Sequence, residues 1–88
     1  MTKKFIKEII ENGKHDFVEN GKDDFGEINY TTKKYHYTIR AEIDEDANTP
    51  HWIYSLYRVV RPDYGKGWQY CMDYVEDVTE IMDAYIGK

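Results

Sequence analysis

The sequence predicts an α+β fold in which two helices cover one face of an antiparallel sheet. Apolar residues recur at helical spacing near both ends of the chain, and they alternate with polar residues in its middle. The 88 residues suffice for one modest core, so we expect a single domain over residues 1–88. The expected order is a helix, three or four strands, and an acidic amphipathic C-terminal helix.

The first helix is predicted over residues 3–12. Thr2 is a suitable N-cap, and the pair Asn12-Gly13 is a common end signal. One face of this helix carries the apolar residues Phe5, Ile6, Ile9 and Ile10.

Strands are predicted where apolar and polar residues alternate. A short strand over 15–19 precedes the hairpin signal Asn20-Gly21, and its brevity leaves the number of strands at three or four. Period-two segments follow at 25–30 and 34–43, joined by a turn. After an acidic loop at 44–50, another strand is expected from about 52 to 60. The segment 62–67 carries Pro and Gly residues and ends the sheet.

The segment from Trp68 to Ile86 predicts one continuous helix with an apolar side and an acidic side. No Lys or Arg interrupts the acidic side. Opposite charges three or four positions apart would stabilise the helix by about 0.2–0.5 kcal/mol per pair, and this helix lacks that stabilisation. The lack of basic residues indicates a basic partner; the simpler alternative is an outer face in contact with water. The acidic side comprises Asp73, Glu76, Asp77, Glu80 and Asp83.

Composition limits the classes of partner. The net charge is −5, with 17 acidic against 12 basic residues, which argues against direct binding to DNA or RNA. The single cysteine, Cys71, is expected to be a buried structural thiol in a reducing compartment. The N-terminal segment lacks the apolar run of a secretory signal, and no segment is long and apolar enough for a membrane span. We therefore expect a cytoplasmic protein.

Motifs for catalysis or metal binding are missing from the sequence. His15, His36 and His51 are far apart and are expected at the surface. The loop that begins at Asp44 has the first acidic positions of a calcium loop, but Thr49 stands where such a loop needs Gly, and Ser55 where it needs Glu. No nucleophile elbow, phosphate loop or dinucleotide motif occurs. We expect no enzyme activity, no metal and no cofactor.

Acidic residues are therefore the candidate binding groups. A second acidic cluster, Asp44, Glu45 and Asp46, is a candidate binding surface in addition to the acidic side of the last helix. Along a helix, acids three or four positions apart lie about 5 to 6 Å from each other. That separation is close to the spacing of phosphates along a nucleic-acid strand. Such a row suits a groove lined with Arg and Lys that otherwise holds DNA or RNA.

Two segments form a recognisable pair: the opening amphipathic segment Phe5-Ile6-Lys7-Glu8-Ile9, and Gly67-Trp68-Gln69, which leads into the acidic segment 73–83. With this pair the chain resembles the small anti-CRISPR inhibitors of phages and mobile elements that block an RNA-guided nuclease. The resemblance implies a non-catalytic inhibitor whose acidic residues occupy the site where the nuclease reads the short DNA motif beside its target. It assigns that role to Asp73, Glu76, Asp77, Glu80 and Asp83.

The leading hypothesis is thus an inhibitor or adaptor that binds a basic nucleic-acid-handling protein, such as a nuclease or CRISPR effector, by nucleic-acid mimicry. The alternative is a small structural or assembly domain that dimerises through exposed aromatic residues of its sheet, such as Trp52, Tyr54 and Tyr57. A third reading, a double-stranded-RNA-binding domain, shares the element order but needs Lys on its last helix.

Overall fold

The structure is a computed structural model that describes residues 1–18, 25–44, 48, 51–61 and 72–86. Within these residues it confirms an α+β fold with two helices and an antiparallel sheet, and the sheet has five strands where three or four were predicted. In chain order the elements are α1 (Lys3–Asn12), β1 (Lys14–Val18), β2 (Phe25–Thr31), β3 (Tyr35–Asp44), β4 (His51–Val60), β5 (Asp73–Asp77) and α2 (Thr79–Ile86).

The strands form a simple meander in the order β1-β2-β3-β4-β5, with every neighbouring pair antiparallel. Residues that lie opposite each other in such a sheet share a face. The row Ile28, Ile39 and Leu56 therefore points to one face, and all three side chains are buried there. The strands predicted at 25–30, 34–43 and 52–60 agree with β2, β3 and β4 to within a few residues.

Helix α1 follows the prediction closely. The Thr2 hydroxyl accepts a hydrogen bond from the Phe5 N–H at 3.2 Å, and the helix ends at Gly13, whose N–H donates to the Ile9 carbonyl at 2.8 Å. Its three buried residues are Ile6, Ile9 and Ile10. The amphipathic pattern thus places one face of α1 against the sheet.

Both helices lie on the same face of the sheet, as predicted, and the core fills the space between. Val78 and Met82 join the isoleucines of α1 and the apolar row of the sheet in one cluster. Phe5 packs edge-on against Tyr30 and Tyr37, with ring centroids 6.3 and 5.1 Å apart. The opposite face, which we call the polar face, carries the polar side chains of β2 and β3 together with Ile53, Tyr57 and Val59 of β4.

The predicted turn between β2 and β3 is present, because the Thr32 N–H donates to the Tyr35 carbonyl at 2.8 Å. The Asn20-Gly21 hairpin signal, the Pro and Gly segment 62–67 and Cys71 lie outside the described residues. None of the helices in the described ranges is long and apolar enough to cross a membrane.

Candidate functional site: the acidic edge

The predicted continuous helix over 68–86 is wrong. Residues 73–77 form β5, the outer strand beside β4, and only Thr79–Ile86 are helical; residues 68–71 lie outside the described part. We call β5 and α2, with their five carboxylates, the acidic edge.

Backbone groups of β4 determine the junction between β5 and α2. The Val78 N–H donates to the Tyr54 carbonyl at 2.8 Å, and the Tyr54 N–H donates to the Thr79 hydroxyl at 2.9 Å. The Asp77 carboxylate then accepts the Thr79 N–H at 2.7 Å, which is the bond an acidic residue makes at a helix start. Val78 is buried at this junction. Pairing with β4 therefore stops the helix where the periodicity alone would continue it.

The strand register separates the acids of β5. Glu76 lies opposite Leu56 on the face that carries the helices, whereas Asp77 lies opposite Ser55 on the other face. The register shifts between Leu56 and Tyr57, so β5 contains one extra residue, a β-bulge. The predicted single row of carboxylates is consequently divided between the two faces of an edge strand and the first turns of α2.

Most of these carboxylates have no basic partner in the described part of the chain. Glu76 is the exception, since its Oε1 lies 3.2 Å from the N-terminal amino group of Met1. Asp73, Asp77, Glu80 and Asp83 are exposed, and no ion pair within the described residues involves them. Asp73 lies opposite Arg58 in the register, but the Arg58 guanidinium lies over the Tyr35 ring, 4.6 Å from its centroid.

Tyrosines accompany the acids. Tyr74 of β5 is 59% exposed, and its ring meets Tyr57 edge-on at a centroid distance of 6.0 Å. Burial, and secondly the negative charge of Asp83, raise the pKa of the Tyr54 phenol. The acidic edge thus combines negative charge with amphipathic rings, a combination common in protein interfaces.

Asp44 is the one residue of the second predicted acidic cluster that the structure describes, and it lies apart from the acidic edge. Asp44 ends β3 opposite His51 of β4, whereas Asp77 of β5 lies opposite Ser55 of β4. His51 and Ser55 are four residues apart, which is about 13 Å along the strand. Glu45 and Asp46 lie outside the described residues.

A polar cluster on the opposite face was not anticipated. His36 was expected at the surface but is only 3% exposed. Its Nδ1 lies 2.7 Å from the Thr31 hydroxyl and its Nε2 lies 3.1 Å from Asn29 Oδ1. The Thr38 hydroxyl donates to the same Asn29 oxygen at 2.7 Å, and Asn29 Nδ2 donates to Asp16 at 3.2 Å. Burial lowers the pKa of His36 and favours the neutral ring, in which Nε2 donates and Nδ1 accepts.

The sequence contained a signal for this cluster. Asn29, Thr31, His36 and Thr38 all occupy the polar positions of the period-two pattern in β2 and β3. The order of hydroxyl, imidazole and amide oxygen is also that of a nucleophile, its base and the group that orients the base. However, burial makes His36 a weak base and limits access of a substrate to the ring. We interpret the cluster as a satisfied structural network.

A second polar group follows along the same face. The Tyr57 hydroxyl donates to Glu42 at 2.7 Å, and the Arg40 guanidinium lies 5.7 Å from the Tyr57 ring centroid. Arg40 also pairs with Glu27 at 3.7 Å. The pKa of the Tyr57 phenol is raised, first by burial and then by its bond to Glu42. These contacts connect β2, β3 and β4 through side chains.

The aromatic residues of the dimer alternative are divided between the two faces. Trp52 and Tyr54 point to the helix-bearing face, while Tyr57 points to the polar face, as the alternation predicted. Trp52 is 44% exposed. Within the described residues, no three His, Cys, Asp or Glu side chains are placed to hold a metal ion.

Comparison of the chain with protein-family models, with curated proteins and with solved structures finds no match.

Proposed function

We propose that this chain is a non-catalytic inhibitor that uses its acidic edge to bind a basic, nucleic-acid-handling protein, such as a nuclease or CRISPR effector. The observation that carries the proposal is the set of exposed carboxylates without basic partners among the described residues: Asp73, Asp77, Glu80 and Asp83. Acidic side chains left unpaired at one edge keep their charge available to another molecule.

The mechanism is competition for a surface that otherwise holds nucleic acid. Arg and Lys of the partner pair with the carboxylates, and the exposed Tyr74 ring supplies apolar contact. Because β5 is the outer strand, its carboxylates project along an edge rather than from one helix face. The partner's groove then receives the strand edge together with the start of α2.

The test uses a purified RNA-guided nuclease and measures DNA cleavage with and without the chain. We expect inhibition when the chain is added before DNA, little inhibition when DNA is bound first, and a loss of binding at high salt. The double variant Asp73→Lys and Asp83→Lys should weaken inhibition at least about tenfold, since it reverses two charges at the interface. Glu76 and Asp77 are unsuitable for this purpose because they contact Met1 and Thr79.

The control compares two single variants with the same change in net charge, Asp83→Lys on α2 and Glu11→Lys on α1. Both residues are exposed, and neither forms an ion pair within the described residues. Glu11→Lys is the control. Inhibition equal to wild type in the control supports the acidic edge. If the Asp73 and Asp83 double variant inhibits as strongly as wild type, the acidic edge is not the binding surface. If the wild-type chain neither inhibits a nuclease nor binds a nucleic-acid-handling protein, the proposed function is refuted.

A further inference from the structure

A groove between α1 and α2 is the second surface of interest. It has a volume of about 260 Å³. Its apolar part comes from Ile10, Ile81, Ala84 and Tyr85. Tyr85 is 47% exposed and Ala84 is also exposed, so apolar surface of α2 remains open to solvent.

Charges of both signs surround this apolar part. Lys3 and Lys7 come from α1, and Glu80 comes from α2, with Glu11 at the far end of α1. All of these side chains line one small pocket, yet no ion pair joins the lysines to the glutamates in the part of the chain that the structure describes. The groove therefore presents two cations and, at its far end, one anion from α1, and one anion from α2.

From this arrangement we infer that the groove is the contact surface for a second copy of the chain. A two-fold axis along the groove places α1 of one copy over α2 of the other. Lys3 and Lys7 of each copy then face Glu80 of its partner, and Tyr85 and Ala84 of each copy lie over α1 of the other. A surface of this kind is complementary to itself in both charge and apolarity, which a two-fold interface requires.

The inference is independent of the proposed inhibitor function, because it concerns the chain alone. Glu80 belongs to both surfaces. Its use in self-association leaves Asp73, Asp77 and Asp83 of the acidic edge, which do not line the groove, for the partner. A dimer of this type presents two acidic edges, so a partner with two basic sites would be bound more tightly by the dimer than by a single chain.

The test is a charge-swap experiment by sedimentation over micromolar to millimolar chain concentrations. Wild type should associate reversibly, and the variants Lys7→Glu and Glu80→Lys should each associate at least tenfold more weakly, because like charges then face each other twice. An equimolar mixture of these two variants should form a heterodimer, since both contacts pair opposite charges again. Circular dichroism verifies that each variant is folded.

The controls are Lys4→Glu and Asp83→Lys, which make the same charge changes on the same helices but at residues outside the groove lining. Their own association should match wild type, and their mixture should show no gain over either variant alone. A wild-type chain that stays monomeric throughout the range overturns the inference. Association that the control variants weaken as much as the groove variants also overturns it, because net charge rather than the groove then controls the contact.

Discussion

Replacement of Gly13 by Ala tests how α1 is joined to the sheet. An alanine Cβ at this position would lie 2.5 Å from the Ile9 carbonyl oxygen, 2.7 Å from Ile28 Cγ2 and 3.1 Å from the Asn29 carbonyl oxygen. The first two distances are shorter than Cβ contacts tolerate. The first involves the helix backbone and the second a buried core residue, so neither neighbour has room to move away.

Two effects of opposite sign decide the change in stability. The backbone of Gly13 is extended, with φ −72° and ψ 162°, so alanine adopts it without strain and would gain about 0.4–1 kcal/mol by restricting the unfolded chain. Overpacking of this severity costs about 1–3 kcal/mol. We therefore expect a net loss of about 1–2 kcal/mol. For a domain of this size, that loss lowers the melting temperature by roughly 4 to 16 °C.

Thermal and urea unfolding followed by circular dichroism measure this loss, and Gly26→Ala is the matched control. At Gly26 the added Cβ would meet only the Asp16 carbonyl oxygen at 3.9 Å, an ordinary contact, so Gly26→Ala should equal wild type or exceed it by up to about 1 kcal/mol. A Gly13→Ala variant as stable as Gly26→Ala would refute the close packing of the α1 end against β2.

Two further predictions concern the strand-to-helix junction and the buried histidine. Asp77→Ala removes the acceptor of the Thr79 N–H and should lower the free energy of unfolding in urea by about 0.5–2 kcal/mol. Asp83 caps nothing in the described structure, so an equal loss for Asp83→Ala would contradict this role. Burial holds the folded pKa of His36 below its ordinary 6.5, so its contribution to stability is complete above pH 6.5 and is lost as pH falls from there toward the folded pKa. Unfolding free energies between pH 8 and 5, at steps of about one pH unit, should fall more steeply for wild type than for His36→Gln; equal slopes would exclude this linkage.

The central strands and α1 were predictable because local patterns and tertiary contacts agree there. In β3, the alternation of Tyr35, Tyr37 and Ile39 with His36 and Thr38 matches the division between helix-bearing and polar faces. The surface assignment of His36 failed for a different reason. Its neighbours on β2 belong to another part of the sequence, and only the register brings Asn29 and Thr31 within hydrogen-bond distance.

The acidic segment shows the limit of periodicity. The extra residue of the bulge in β5 breaks strict alternation, so Tyr74, Val75 and Val78 fall at spacings that also suit a helix. Composition did identify the five carboxylates, and four of them are exposed. Their grouping as an edge instead of a row is a property of the fold.

The sequence by itself determined the α+β class, the single amphipathic α1, the strands β2 to β4 and the acidic character of the C-terminal segment, because each depends on short-range spacing and composition. Only the tertiary structure decided that residues 73–77 pair with β4 and that a helix starts at Thr79. The physical reason is that the Tyr54 carbonyl accepts the Val78 N–H, which a continuous helix would need for itself, and the Tyr54 N–H donates to the Thr79 hydroxyl. The sheet edge supplies these partners, and no local pattern reveals them.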